Sequence, residues 1–97
     1  PEQPTFGAAY ARRAEAAATF QQDYQTALAD YNVALRHLRA PADRARSLTG
    51  RAACLSALGR DAAAEQSLTE ALTHEPTYAA ARLARAELRL FVRRNYD

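Results

Sequence analysis

Residues 57–76 read ALGRDAAAEQSLTEALTHEP, and this stretch decides the fold. Its glycine suits the left-handed residue that follows a helix end, and its aspartate can cap the start of the next helix. Ala64, Leu68 and Ala71 then recur at three- and four-residue steps, which places them on one helix face. The stretch therefore predicts the end of one helix, a tight turn and a second, amphipathic helix.

Similar helix-starting and helix-ending residues divide the rest of the chain into segments, and the composition also favours helices. The 97 residues include 25 alanines and 11 leucines but only 2 valines and no isoleucine, so strong helix formers far outnumber strand formers. We therefore predict an all-α chain. Its expected helices span 6–21, 24–39, 42–58, 61–74 and 77–94, with Thr5, Asp23, Asp61 and Thr77 as N-caps and Gly59 as the residue after a helix end.

The chain repeats itself, which is the first property to test in a helical sequence. At an offset of 37 residues the second predicted helix matches the fourth, and at an offset of 72 the first matches the fifth. The pattern predicts two helix pairs followed by the opening helix of a third pair. The matched residues include Ala27 with Ala64, Tyr31 with Leu68, Ala34 with Ala71, Glu15 with Glu87 and Tyr24 with Tyr96.

Residues 57–76, together with a looser copy over 22–41, resemble the tetratricopeptide repeat, whose helix pairs recur about every 34 residues. The resemblance implies a right-handed α-α superhelix, a solenoid of about five antiparallel helices. Repeat one covers about 8–41, repeat two about 45–78, and the first helix of a third repeat about 79–97. It also implies that Ala27, Ala34, Ala64 and Ala71 lie where paired helices touch. We expect this single domain to belong to a longer, bacterial-type protein.

The resemblance also implies a function, because tetratricopeptide arrays bind peptides or helices of other proteins in a concave groove. The first helix of each pair lines that groove. Arginine pairs bidentately with carboxylates, so we expect a positive groove and an acidic or polar partner segment. The expected groove residues are Arg12, Arg13, Ala16, Thr19, Phe20, Arg46, Thr49, Ala53, Ser56 and, from the last helix, Arg85.

Two other functions remain open. Arg82, Arg85, Arg89 and Arg93 follow one side of the last helix, between Tyr78 and Tyr96, and arginine with interleaved tyrosine can contact nucleic acid. A net charge of only +2 favours instead arginines that lie over apolar neighbours and pair with carboxylates such as Glu87 or those on adjoining helices. The third function is structural oligomerisation. It would use the apolar residues of the last helix, through which we expect self-association or packing on further repeats: Leu83, Leu88, Leu90, Phe91 and Val92.

Catalytic and metal-site patterns are missing from the sequence. Cys54 stands alone in an alanine-rich helix and is expected to be a packed thiol, and His37 and His74 have no ligand cluster beside them. We therefore predict a non-enzymatic protein with no cofactor and no metal. No apolar run approaches the ~20 residues of a membrane span, so we expect a soluble chain, with the cytoplasm as the favoured compartment.

Overall fold

The structure, a computed structural model, describes the backbone of residues 6–96 and the side chains of 6–95. Every regular element within that range is a helix, so the predicted all-α class is confirmed. The elements are α1 (Phe6–Phe20), α2 (Tyr24–His37), α3 (Pro41–Ala57), α4 (Asp61–His74) and α5 (Ala79–Tyr96).

The helix starts follow the predicted caps only in part. Asp23 caps α2 as expected, its carboxylate accepting a hydrogen bond from the Thr26 amide at 3.2 Å. The prediction for Asp61 is wrong: Arg60 is the N-cap and Asp61 is the first residue of α4, where its charge favours the helix N-terminus. Thr77 lies in the turn before α5, which begins two residues later than predicted. Thr5 lies outside the described residues.

Gly59 ends α3 in the predicted left-handed conformation, with φ of 80°. Its amide donates to the Ser56 carbonyl at 3.0 Å, and the amide of Arg60 donates to the Leu55 carbonyl at 2.8 Å. These bonds satisfy carbonyls that the end of a helix would otherwise leave unpaired. The turn is therefore tight enough to bring α4 back along α3.

The helices pack as pairs in two layers. α1 lies against α2, α3 against α4, and α2 also packs on α3, while α5 rests on α4 and α3. The molecule measures 51 × 29 × 18 Å, and its smallest dimension is about that of two stacked helices. One layer holds α1, α3 and α5, and α3 contacts both of the others. The second layer holds α2 and α4, which do not contact each other within the described residues.

Small residues form much of the core, so the helices approach closely. The four alanines expected at helix contacts are all buried with no exposed surface: Ala27, Ala34, Ala64 and Ala71. Leu48 and Leu68 are the largest of the fully buried side chains. At Gly50 the ring of Tyr31 lies directly over the backbone, so that a Cβ atom there would overlap the Tyr31 hydroxyl and Cζ. Substitution at this position therefore requires the Tyr31 ring, or the helices that hold it, to shift.

Polar contacts join the helices both within the second pair and between the two pairs. The Ser67 hydroxyl donates a buried hydrogen bond to the Leu48 carbonyl at 2.8 Å, which joins α4 to α3. Arg44 donates to the carbonyls of Leu35 at 2.7 Å and Leu38 at 3.0 Å, at the end of α2. Its Nε also donates to Nε2 of His74 in α4 at 3.3 Å. Arg44 therefore connects the ends of both helix pairs.

Candidate partner-binding surface

In the described part of the chain, one cleft lies where α1 and α3 meet. It has a volume of about 480 Å³ and its lining includes Tyr31 and four charged residues. Nη2 of Arg46 contacts the Glu15 carboxylate at 3.0 and 3.3 Å across the cleft. Arg12 and Asp43 supply the other two charges. The expected positive charge is not found in this cleft, because its two arginines are matched by two carboxylates.

The second cleft lies between α3, α4 and α5. It encloses about 420 Å³ and is lined mainly by small and apolar side chains. Glu87 is the one charged residue of its lining, so this cleft has no positive charge either. Its lining residues are Thr49, Ala52, Ala53, Ser56, Ala64, Leu68, Ala84, Glu87, Leu88 and Phe91.

The predicted groove residues therefore do not all lie in one cleft. Arg12 and Arg46 line the first cleft, whereas Thr49, Ala53 and Ser56 line the second. Four others are exposed but lie outside the lining of both clefts: Arg13, Ala16, Thr19 and Phe20. Half-buried Arg85 also lines neither cleft.

Arg13 joins α1 to α2. Its guanidinium contacts both carboxylate oxygens of Asp30, at 2.7 and 2.8 Å, and lies 5.1 Å from the centre of the Tyr10 ring. Asp30 is buried, with a side chain only 6% exposed. The hydrogen bonds to Asp30 hold the pKa of Arg13 above its usual value. A buried carboxylate needs such a partner, so Arg13 stabilises the first helix pair.

The arginines of the predicted stripe on α5 differ in whether they form an ion pair. Arg89 donates two hydrogen bonds to Glu65 of α4, at 3.0 and 2.8 Å. These bonds lower the pKa of Glu65, and the nearby charge of Arg85 lowers it further. Arg82 and Arg93 are exposed and form no ion pair with any described residue. The expected pairing with a carboxylate of an adjoining helix is found between Arg89 and Glu65. The Tyr96 side chain lies outside the described residues.

The residues considered for chemistry are held apart. Cys54 is fully buried, as expected of a packed thiol, and burial raises its pKa. His74 accepts the hydrogen bond from Arg44, whereas His37 is exposed beside the ring of Phe6. Within the described part of the chain, no three histidine, cysteine or acidic residues are grouped to hold a metal ion. None of its helices combines the length and apolar character that a membrane crossing requires.

No protein-family model matches this chain. Searches of curated proteins and of solved structures also find no match. The resemblance to tetratricopeptide repeats therefore depends on the residues of this chain alone, above all those of 22–41 and 57–76. Sequence reasoning did not identify Glu15, Tyr31 or Phe91 as cleft residues. Their participation depends on how helices pack on one another, which the periodicity of a single helix does not contain.

Proposed function

We propose that this chain is a right-handed, tetratricopeptide-like solenoid that acts as a protein-interaction module. Its α1, α3 and α5 layer would form a concave groove for a peptide or helix of a partner protein. The packing supports this proposal, because α3 contacts both α1 and α5 while α2 and α4 do not touch. Helices on the inner side of an arc lie closer together than helices on its outer side.

The cleft between α3, α4 and α5 is the observation that carries the proposal. It falls in the 300–1,000 Å³ range of ordinary ligand sites, at about 420 Å³. Its walls are small side chains such as Ala53 and Ser56, and Leu68 and Phe91 supply apolar surface. A peptide could therefore seat one large apolar side chain here without moving the helices.

The cleft between α1 and α3 would supply the polar contacts of the same groove. Arg46 is engaged by Glu15, but Arg12 is exposed and forms no ion pair with a described residue. An arginine in this state can pair bidentately with a carboxylate of the partner. The preferred ligand is a peptide segment with a large apolar residue and an acidic residue along its length.

The experiment is a pulldown from source-cell lysate with the immobilised chain, run with and without nuclease. It compares wild type with Ala53→Trp, which fills the apolar cleft, and with Ala62→Trp, a matched change at an exposed position of α4. We expect a protein that is retained by wild type and Ala62→Trp in both arms and lost from Ala53→Trp.

Two results would contradict the groove. Equal retention by Ala53→Trp would remove the apolar cleft from the binding site. Loss of retention on nuclease treatment would favour nucleic-acid contact through the exposed Arg82 and Arg93. Once a peptide is identified, Arg12→Glu combined with Arg46→Glu should weaken its binding by more than about tenfold, or about 1.4 kcal/mol.

A further inference from the structure

One face of α5 is uncovered although it has the features of a helix contact. Leu83 and Leu90 are 61% and 59% exposed, and Ala79 and Ala86 beside them are exposed as well. Their spacing of three, four and seven residues places them on one side of the helix. Ala81 and Leu88, on the opposite side, are buried. The helix therefore packs through one side and presents a second side to solvent.

The other helices of the same layer indicate what covers this side. At an offset of 34 residues, α3 matches α5 so that the buried Ser47 and Cys54 fall on the buried Ala81 and Leu88. The same offset places Ala45 and Ala52 of α3 on Ala79 and Ala86, and an offset of 72 places Gly7 and Ala14 of α1 there too.

The small residues of α1 and α3 are all buried, in helices that pack on α2 and α4. Gly7 is so close to α2 that a Cβ atom there would lie 3.0 Å from Leu38. Small residues at such positions allow close helix approach, and α5 keeps them. A helix in the position of α2 or α4 is therefore the matching occupant of the exposed face.

Charge identifies the kind of helix. Where α3 buries Leu48 and Leu55, the same offset gives Arg82 and Arg89 in α5. Arg82 and Arg93 form no ion pair with a described residue, and α5 as a whole contains five arginines and one glutamate. A second copy of this side of α5 would bring its own Arg82 and Arg93 into the contact, which repulsion disfavours. A helix with carboxylates on its contact side is complementary.

We propose that the α5 face, defined as Ala79, Arg82, Leu83, Ala86, Leu90 and Arg93, docks an acidic amphipathic helix of a partner protein. This helix occupies the place on α5 that α2 occupies on α1 and α4 on α3. The surface is separate from the groove, whose apolar cleft opens toward Phe91. Nucleic acid fits it less well, because two exposed leucines in its middle offer nothing to phosphates or base edges.

The test uses two capped, fluorescein-labelled peptides. One copies residues 60–75, which include α4, and the other is the same peptide with Leu68→Glu. Anisotropy is measured against the full chain. We expect the Leu68→Glu peptide to bind about fivefold tighter or more, because its carboxylate meets arginine where α3 has leucine. If the binding came from apolar contact alone, the peptide with Leu68 would bind tighter than the Leu68→Glu peptide. That result, or the absence of binding by either peptide, would overturn the proposal.

Variants of the chain locate the binding. Arg82→Ala combined with Leu83→Ser should weaken the acidic peptide by about tenfold or more. Phe20→Ser combined with Arg39→Ala is the matched control, because it changes an exposed aromatic residue and an exposed arginine elsewhere. The control and Ala53→Trp should both leave the affinity unchanged, so that failure of the groove and failure of the α5 face are distinguishable. Circular dichroism checks that each variant is folded.

Three further results would contradict the proposed occupant. The first is equal loss of peptide binding in the control. The second is a wild-type dimer in sedimentation that Leu83→Ser dissociates, which would assign the face to a second copy. The third is a labelled single-stranded oligonucleotide that binds tighter than the peptide and is released by Arg82→Ala, which would assign it to nucleic acid.

Discussion

Raising the pH above 10 should destabilise the protein through one buried phenol, Tyr31. Its side chain is only 5% exposed, and burial is the main reason that its pKa rises to about 12. Negative charge on Cys54 and Glu15 raises it further, while Arg46 opposes them. The folded-state pKa of Tyr31 exceeds the unfolded value of about 10. Its contribution to the free energy of unfolding is therefore fully present below pH 10 and is lost as the pH rises toward 12. The full difference is about 2.7 kcal/mol.

The composition makes this loss measurable. The chain has no lysine, so the side chains that ionise between about pH 8 and 12 are those of Cys54 and the five tyrosines. Urea unfolding in a Cys54→Ala background, followed from pH 8 to 11.5, should show a steady fall in the free energy of unfolding. Tyr31→Phe should remove most of that fall, whereas Tyr24→Phe should not. If Tyr31→Phe lost as much stability as its parent, the reasoning from burial would be refuted.

Two further changes test packing and charge. Gly50→Ala should lower the free energy of unfolding in urea by about 1–3 kcal/mol, because the new Cβ overlaps Tyr31. Gly59→Ala should cost less, because a Cβ there meets open space and only the positive φ opposes it. A larger loss at Gly59 than at Gly50 would contradict this reasoning. Glu65→Gln should weaken the acid dependence of stability: the pKa of Glu65 is lowered mainly by hydrogen bonds from Arg89, so its contribution is present above about pH 4.5 and lost at lower pH. Because the Arg89–Glu65 pair is partly exposed, we expect it to contribute no more than about 1 kcal/mol to stability. Thermal melts at decreasing pH measure this contribution. If the variant lost stability with acid as wild type does, the pair would not be its source.

The sequence predicts those features that depend on residues close together along the chain. The turn at Gly59 follows from the residues around it. The burial of four alanines follows from their helical spacing: Ala27, Ala34, Ala64 and Ala71. The start of α5 does not, because the amide of Tyr78 donates to the Glu75 carbonyl and closes a turn before the helix begins. Thr77 therefore remains in that turn.

Pairing between distant charges is harder to predict. Arg13 finds Asp30 across 17 residues, and Arg46 finds Glu15 across 31. Each of these arginines has several carboxylates that sequence alone permits as partners. The choice is made by how α1 lies on α2 and on α3, so the positive groove expected from arginine content is neutral where the helices meet.

Arg44 has a consequence for how the molecule comes apart. Arg44 of α3 binds the last carbonyls of α2 and a side chain near the end of α4, so neither α2 nor α4 can leave α3 at that end without breaking a bond to Arg44. Stability in helical arrays is the sum of what each unit contributes and what neighbours contribute to each other. The first four helices should therefore exchange their amide hydrogens as one cooperative block. α5, which has only one covered side, forms a separate unit that opens first and is available to reorder around whatever covers it.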